Sequence, residues 1–194
     1  MEKAKIAVLV SGGGTNLQAL LDAEQSGILQ SGEISLVVSN NPNAYALERA
    51  AKAGVESAVL TGPDFENGLR GLLREHRIDL IILAGFMRIL SAGFTAEWPN
   101  RILNVHPSLI PSFCGKGYYG LRVHEEALRR GVKVTGATVH FVNEIPDGGE
   151  ILLQKAVEVL PGDTPESLQR RVMEQAEWIL LPQAAELVSK GVLL

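Results

Sequence analysis

Short apolar runs that alternate with helical patterns constrain the fold of this chain more than any other feature of its sequence. Lys5 to Val10, Glu33 to Val38 and Leu80 to Ala84 each have the length of a strand. Continuous apolar runs of this kind are typical of parallel strands that are covered on both faces. Together with four further runs they indicate about seven strands. Because strands that alternate with helices form βαβ units, we predict an α/β, Rossmann-like fold: a mostly parallel twisted sheet with helices on both faces.

Longer strands and a longer helix are predicted in the last third of the chain. Lys133 to Val142 and Ile151 to Val159 are rich in β-branched residues and are expected to be strands. Thr164 and the proline after it are typical of a helix start. That helix is expected to continue to about Lys190 and to bend at Pro182, because proline removes a backbone donor.

Two elements near the middle of the chain are shorter. Val55 to Leu60 is expected to be the third strand, and it ends before a glycine and a proline. Arg122 to Arg130 is expected to be a helix, with His124 on its surface.

The composition excludes several functional classes. Apolar residues make up 46% and charged residues 21% of the 194 residues, which is ordinary for a globular protein. A net charge of −4 without a Lys/Arg cluster argues against nucleic-acid binding. Runs such as Leu80 to Ala84 are too short to span a bilayer. The single cysteine, Cys114, excludes an internal disulfide and a multi-thiolate zinc site. Met1 to Lys3 lead directly into a strand without a signal-peptide pattern, so we expect a cytoplasmic protein with one domain over 1–194.

A glycine-rich segment, Ser11 to Asn16, follows the first strand and precedes a helix. The bare N–H groups and the positive dipole end of such a helix form an anion site. A P-loop lysine is absent, Leu17 replaces a fingerprint glycine, and no acid follows the second strand at Ser39 to Asn41. We therefore expect a small phosphate monoester as the ligand. The alternative is a tight turn that needs glycine only for its backbone angles.

Polar residues end the strand that begins at Arg101. Asn104 and His106 are two residues apart, so their side chains are expected on the same face of that strand. Pro107 has no N–H to donate and ends the strand directly after them. Ligands of open α/β sheets bind at this edge. The alternative is a hydrogen-bonded histidine that only caps the strand end.

Asp147 lies between a proline and two glycines and supplies a carboxylate. Its alternative role is that of an ordinary turn residue. An amide donor with a His and Asp pair suits the attack of an amine on a carbonyl. Such a donor contributes roughly 3 kcal/mol in the transition state, and proton transfer adds about 100- to 10,000-fold. Neither a G-x-S-x-G nor an H-E-x-x-H motif is present. Acyl transfer is the reaction class that fits these groups.

Other candidate residues leave two interpretations open. The segment Gly85 to Leu90 follows the fourth strand and could hold a flat ring by its backbone groups. Arg88 within it could equally be a structural cation. His140 is either a packed histidine or a partner of the catalytic groups. Cys114 has no nearby His or CxxC partner and is expected to be inert.

Five segments together resemble a known family. They are SGGGTNLQ from Ser11, AGFMRIL from Ala84, NVHPSLIP from Asn104, TVHFV from Thr138 and DGG from Asp147. In this order they resemble the folate-dependent phosphoribosylglycinamide formyltransferases of purine synthesis. The resemblance covers nearly the whole chain and implies a formyltransferase fold.

The resemblance also implies roles for individual residues. The catalytic residues would be Asn104, His106 and Asp147, with protonated His106 and Asn104 stabilising the oxyanion. The phosphate-binding half would be about 1–100, and the folate-binding and catalytic half about 101–194. The other implied residues are Gly12, Gly13, Gly14, Thr15, Asn16 and Glu177 for the ribotide; Met87, Arg88, Ile89, Leu90, Val142, Asn143, Glu144, Ile145 and Pro146 for the folate; and His140 and Ser108 as supporting residues.

The co-substrate implied by the resemblance is 10-formyltetrahydrofolate, with no metal. The expected partners are small molecules, with neither nucleic acid nor a membrane; a homodimer is left open. Rival members of the same superfamily are methionyl-tRNA formyltransferase and formyltetrahydrofolate deformylase. The first is expected to need a further C-terminal domain and the second an N-terminal one, whereas this chain begins its first strand at Lys5 and stops at Leu194. The rival from another class is a non-catalytic nucleotide-sensing module, in which the three polar residues would lie far apart.

Overall fold

A computed structural model describes residues 3–191. Within these residues, seven strands form one sheet, and seven α-helices and one π-helical turn surround or follow it. The strands are β1 Ala4–Val10, β2 Gly32–Ser39, β3 Ser57–Val59, β4 Leu80–Leu83, β5 Ile102–His106, β6 Val134–Phe141 and β7 Ile151–Glu158. The helices are α1 Thr15–Ser26, α2 Ala46–Lys52, α3 Phe65–Glu75, α4 Ala92–Ala96, α5 Leu121–Arg130, α6 Pro165–Val172 and α7 Trp178–Ser189, with the π turn at Met173–Glu177.

The strand order is β3-β2-β1-β4-β5-β6-β7, which confirms the predicted mostly parallel sheet. Strands β1 to β5 are parallel, whereas β6 is antiparallel to both β5 and β7. Between β1 and β4 the chain reverses the direction in which it adds strands. Open α/β sheets have their crevice at such a point, outside the carboxyl ends of the strands. The loops after β1, β4 and β5 all leave the sheet at this edge.

The core consists of two apolar layers, one on each face of the sheet. Ile6, Val8 and Val10 of β1 belong to one layer, and Ala7 and Leu9 belong to the other. All five residues are fully buried. This alternation explains why the strand is apolar at every position and confirms that both faces are covered.

Two elements differ from expectation, the edge strand β3 and a helix between β4 and β5. β3 has three residues, Ser57–Val59, instead of the predicted Val55 to Leu60, because in the described part of the chain it is an edge strand that pairs with β2 alone, over three positions. The short helix α4 was not predicted at all. Its Ser91 cap accepts a hydrogen bond from the N–H of Phe94. With five residues it has too few positions to produce a periodic apolar pattern.

The long C-terminal helix contains a π turn that was not predicted. Pro182, where a bend was expected, lies inside α7, and the π turn at Met173–Glu177 ends five residues before it. A π turn contains one more residue than an α-helical turn, since its hydrogen bonds join residue i to i+5. No residue type marks such a turn in a sequence, whereas proline is conspicuous.

His124 was predicted to lie on the surface, and this was wrong. Its side chain is fully buried in α5. Neither ring nitrogen has a hydrogen-bond partner within residues 3–191. Burial, together with a smaller effect of nearby His106, lowers the pKa of His124 to about 4. The helix turns this residue inward, because Val123 and Ala127 share its buried side.

We expect His124 to make the fold sensitive to acid. Its pKa is about 4 in the folded chain and about 6.5 when exposed, so the unfolded chain binds more protons between these values. The free energy of unfolding should therefore fall as the pH drops from 6.5 to 4, by about 2 to 3 kcal/mol from this residue. Denaturant unfolding measured between pH 6.5 and 4 should show a smaller loss of unfolding free energy in His124→Leu than in wild type. Equal losses in both proteins would contradict the assignment.

Candidate active site

The antiparallel pairing of β5 and β6 brings two predicted residues face to face. Asn104 is paired with His140, and His106 with Thr138. Asn104 Nδ2 lies 3.1 Å from His140 Nε2. His140 Nδ1 must donate to the carbonyl of Phe141, at 2.8 Å, because a carbonyl oxygen can only accept. In the neutral ring, Nε2 therefore accepts from Asn104, which sets the orientation of the amide and leaves its second N–H available.

Asp147 reaches both histidines from the loop between β6 and β7. Its Oδ2 lies 3.5 Å from His106 Nδ1, and its Oδ1 lies 3.5 Å from His140 Nε2. The residue has a φ of 56°. Gly149 seats the loop on the end of β6, where a Cβ at Gly149 would come 1.8 Å from the carbonyl oxygen of Phe141. Asp147 is thus a turn residue whose carboxylate faces the site, and the structure brings it together with Asn104 and His106.

Backbone groups of the loop after β5 hold the same two side chains. The carbonyl of Phe113 accepts from His106 Nε2 at 2.9 Å, so this nitrogen carries a proton. The N–H of Gly115 donates to Asp147 Oδ2 at 2.8 Å. Ser108 is fully buried and donates to the carbonyl of Ser112. Phe113 and Gly115 were missed by sequence reasoning, because they act through main-chain atoms that their residue types do not reveal.

The protonation states follow from this arrangement. Burial lowers the pKa of His106, and the Asp147 carboxylate and the Phe113 carbonyl offset only part of this effect. Burial raises the pKa of Asp147, but His140 and His106, which attract the carboxylate in their protonated forms, and the Gly115 N–H hold it below its usual value. At pH 7 the site therefore contains a neutral imidazole, whose free Nδ1 faces a carboxylate. The protonated His106 that the resemblance implied in stabilising the oxyanion stays a prediction.

The glycine-rich segment lies at the adjacent strand end. Thr15 is the first residue of α1, and the next residue, Asn16, donates from Nδ2 to Glu177 Oε2 at 2.9 Å. Glu177 ends the π turn and is 5% exposed. Burial raises the pKa of Glu177 to about 7, although the hydrogen bond from Asn16 opposes the shift. The structure thus brings together two of the residues predicted to bind the ribotide.

The predicted folate residues surround an exposed apolar edge. Met87, Ile89 and Ile145 are exposed, and the N–H of Met87 donates to Ser11 Oγ at 2.8 Å, which links the loops after β4 and β1. Leu90, by contrast, is buried in the core, so its side chain is not available to a ligand. The remaining predicted residues of the loop after β6 are exposed or half-buried: Val142, Asn143, Glu144 and Pro146.

Arg88 has the contacts of a structural cation. Its Nη1 donates to the carbonyl of Gly62 at 2.8 Å, and its guanidinium lies 4.9 Å from the centre of the Phe65 ring. These contacts anchor the loop after β4 to the segment before α3, as one of the two interpretations expected.

Within residues 3–191, no group of three or more His, Cys, Asp or Glu side chains is placed to hold a metal ion. None of the helices in this part of the chain has the length and apolar character needed to cross a membrane.

Known proteins are similar to this chain over a range that includes every candidate site residue. The model of the formyl transferase family matches residues 4–184. A phosphoribosylglycinamide formyltransferase from Haemophilus influenzae is 42% identical over 96% of this chain and 88% of its own length. The human trifunctional purine biosynthetic protein adenosine-3 is 44% identical over 98% of this chain, which spans only 19% of that protein.

Solved structures agree with these sequences. The crystal structure of glycinamide ribonucleotide transformylase 1 from Symbiobacterium toebii has a TM-score of 0.90 and 42% identity, covering 97% of this chain and 89% of the other. A formyltetrahydrofolate deformylase from Pseudomonas syringae is more distant, with a TM-score of 0.87 and 25% identity; it covers 98% of this chain and 62% of the other. The chain therefore belongs to the formyl transferase family, and within it to the phosphoribosylglycinamide formyltransferases.

Proposed function

We propose that this protein transfers the formyl group of 10-formyltetrahydrofolate to the amine of glycinamide ribonucleotide. The observation that carries the proposal is the meeting of Asn104, His106 and Asp147 at the carboxyl edge of the sheet, beside the glycine-rich loop. An amide donor, an imidazole and a carboxylate are the groups that acyl transfer to an amine requires. No enzyme nucleophile is needed, because the attacking amine belongs to the substrate.

Attack of the amine on the formyl carbon places a negative charge on the formyl oxygen and a positive charge on the attacking nitrogen. The N–H of Asn104 that does not donate to His140 stabilises the oxyanion. Because β5 and His140 hold the amide in place, little reorganisation accompanies the reaction. Asn104 thus acts as a preorganised donor.

His106 moves the proton. Its neutral Nδ1 takes the proton from the attacking nitrogen, and the imidazolium that forms is stabilised by Asp147 across the 3.5 Å contact. His106 then gives this proton to the leaving nitrogen of the folate as the C–N bond breaks, which yields the formamide and tetrahydrofolate. The imidazolium suggested by the family is thereby formed during the reaction rather than before it. Asp147 holds it and, with Gly115, keeps the ring in position.

The two substrates have separate places in this proposal. The ribotide phosphate lies on the loop Gly12 to Thr15 in the half 1–100, with Asn16 and Glu177 beside it. The folate ring lies against the backbone of the segment 87–90 and the segment 142–146, where exposed Met87 and Ile145 supply apolar contacts. Several further expectations remain predictions: a cytoplasmic location, one domain over 1–194, and the absence of metal, nucleic-acid and membrane partners. Whether the protein forms a homodimer is left open.

The test is formyl transfer from 10-formyltetrahydrofolate, measured with and without glycinamide ribonucleotide. We expect tetrahydrofolate to appear only when the ribotide is present, together with one equivalent of formylated ribotide. The likeness to a deformylase makes hydrolysis the rival reaction. Release of formate without the ribotide would establish that rival. Binding of the ribotide without turnover of either compound would favour the non-catalytic sensing module.

A further inference from the structure

Three consecutive carbonyl groups of the glycine-rich loop are held by one neighbouring segment, residues 41–49. The carbonyl of Ser11 accepts from Asn41 Nδ2 at 3.1 Å, that of Gly12 from the N–H of Ala46 at 3.0 Å, and that of Gly13 from Arg49 Nε at 2.8 Å. All three donors lie on the α2 side of the loop. None of them was singled out from the sequence.

These contacts determine where the loop directs its donors. In a trans peptide the N–H points opposite to the C=O of the same unit, and the only cis bond within residues 3–191 is Ile110–Pro111. The N–H groups of Gly12, Gly13 and Gly14 must therefore point away from residues 41–49. Within the described part of the chain, none of these three N–H groups donates to a protein atom. Successive N–H groups on one side of a chain form an anion-binding concavity.

The glycines agree with this arrangement. A Cβ at Gly12 or Gly13 would meet no atom within 4 Å, so this part of the loop borders open space. Gly14 differs, because a Cβ there would lie 2.6 Å from that of Ala46, and its φ is 71°. The loop is thus packed closely against α2 near Gly14 and open where the N–H groups point. The N-terminus of α1 begins at the next residue and adds its positive end to the same place.

We propose that Arg49 and Asn41 are positioning residues for the substrate phosphate: they hold the carbonyls of Gly13 and Ser11 so that the loop presents its N–H groups as a preformed phosphate site. This inference rests on the proposed function and adds residues that do not touch the ribotide themselves. Arg49 is further fixed by Nη1, which donates to Gln18 Oε1 of α1 at 3.0 Å. Its charge also raises the local positive potential behind the loop.

The chain offers a closely matched control. Lys52 lies one turn after Arg49 on α2, and both cations contact the ring of Tyr45, at 5.5 and 5.0 Å from its centre. Within residues 3–191, Lys52 makes no hydrogen bond to the glycine-rich loop; its Nζ donates to the hydroxyl of Tyr45. Arg49→Met and Lys52→Met therefore remove the same charge from the same helix, and only the first removes a hydrogen bond to the loop.

The experiment measures the Kd of glycinamide ribonucleotide by calorimetry and the kinetic constants for both substrates. Arg49→Met should raise the Kd and KM for the ribotide about ten-fold, as expected for one lost charge-assisted hydrogen bond. At saturating ribotide, kcat and the KM for the folate should stay within about two-fold of wild type. Asn41→Ala should have the same selective effect, and Arg49→Lys should recover most of the affinity.

Ribotide affinities of Arg49→Met and Asn41→Ala equal to that of Lys52→Met would overturn the inference. So would a loss that falls equally on ribotide and folate, which a merely structural role would produce. Melting temperatures show whether Arg49→Met or Asn41→Ala fails to fold. If one of them does, the ribotide affinity of the other decides the test. If wild type itself binds no ribotide, the proposed function fails, and this result is distinct from binding that is insensitive to Arg49.

Discussion

Replacing His106 with alanine should reduce formyl transfer by about 100- to 10,000-fold at saturating substrates, the range expected for losing a positioned proton carrier. The proton that leaves the attacking amine would have no acceptor at the position of Nδ1, and the Asp147 carboxylate would face the reaction without the imidazolium. The loss of activity should appear in kcat, because His106 is buried, with 4% of it exposed, and acts mainly after the amine has begun to attack the formyl carbon. Initial rates with both substrates at saturation provide the measurement.

His76 provides the matched control for this substitution. It follows α3 and lies 3.6 Å from the carboxylate of Glu56. His76→Ala removes an imidazole of the same size without touching the site, so its rate should equal that of wild type. A rate in His106→Ala above about a tenth of the wild-type value would exclude His106 as the group that moves the proton.

Asp147→Asn should change both the rate and its dependence on pH. The substitution keeps an oxygen that can accept from the Gly115 N–H, so the loop retains its hydrogen bond. The negative charge that stabilises the imidazolium is lost. We therefore expect kcat to fall by about 100-fold or more, by analogy with other histidine and carboxylate pairs.

The direction of the pH change follows from the pKa of His106. Burial lowers this pKa below 6.5, and the charge of Asp147 opposes the lowering. In wild type the rate should rise with pH through the pKa of His106, because only the neutral ring can accept a proton. Without the carboxylate, the pKa of His106 falls further and the acidic limb of kcat should move to lower pH. A full pH–rate profile of both proteins measures this shift.

Asp79→Asn is the control for this profile. Asp79 precedes β4 and accepts from the N–H of Lys5, at the opposite edge of the sheet from the site. Its substitution should leave both the rate and the acidic limb unchanged. An acidic limb in Asp147→Asn that coincides with that of wild type would show that Asp147 does not act on His106.

Much of the fold could be predicted because the relevant signals are local. The five consecutive buried residues of β1 produce a run that only a strand with two covered faces explains. Similarly, the two-residue spacing of Asn104 and His106 places both on one face of β5. Their meeting with Asp147, 41 positions beyond His106, followed from the five segments that resemble a family rather than from any physical rule in the sequence. The catalytic roles assigned to these residues are still predictions.

The remaining features depend on contacts that residue types do not encode. Apolar periodicity alone did not place His124 inside α5, and no sequence signal marks the π turn that ends at Glu177. Phe113 and Gly115 hold His106 and Asp147 through main-chain atoms, whose directions are set by the fold.

The sequence by itself determined the order of the seven strands and of most helices along the chain, the polar strand end and the glycine-rich loop, because each depends on neighbouring residues. Only the tertiary structure decided which way that loop directs its N–H groups, which nitrogen of His106 is free, and that Arg49 lies behind the loop. The physical reason is that a hydrogen bond between distant segments orients a peptide unit or a ring. Such a contact exists only after the chain has folded.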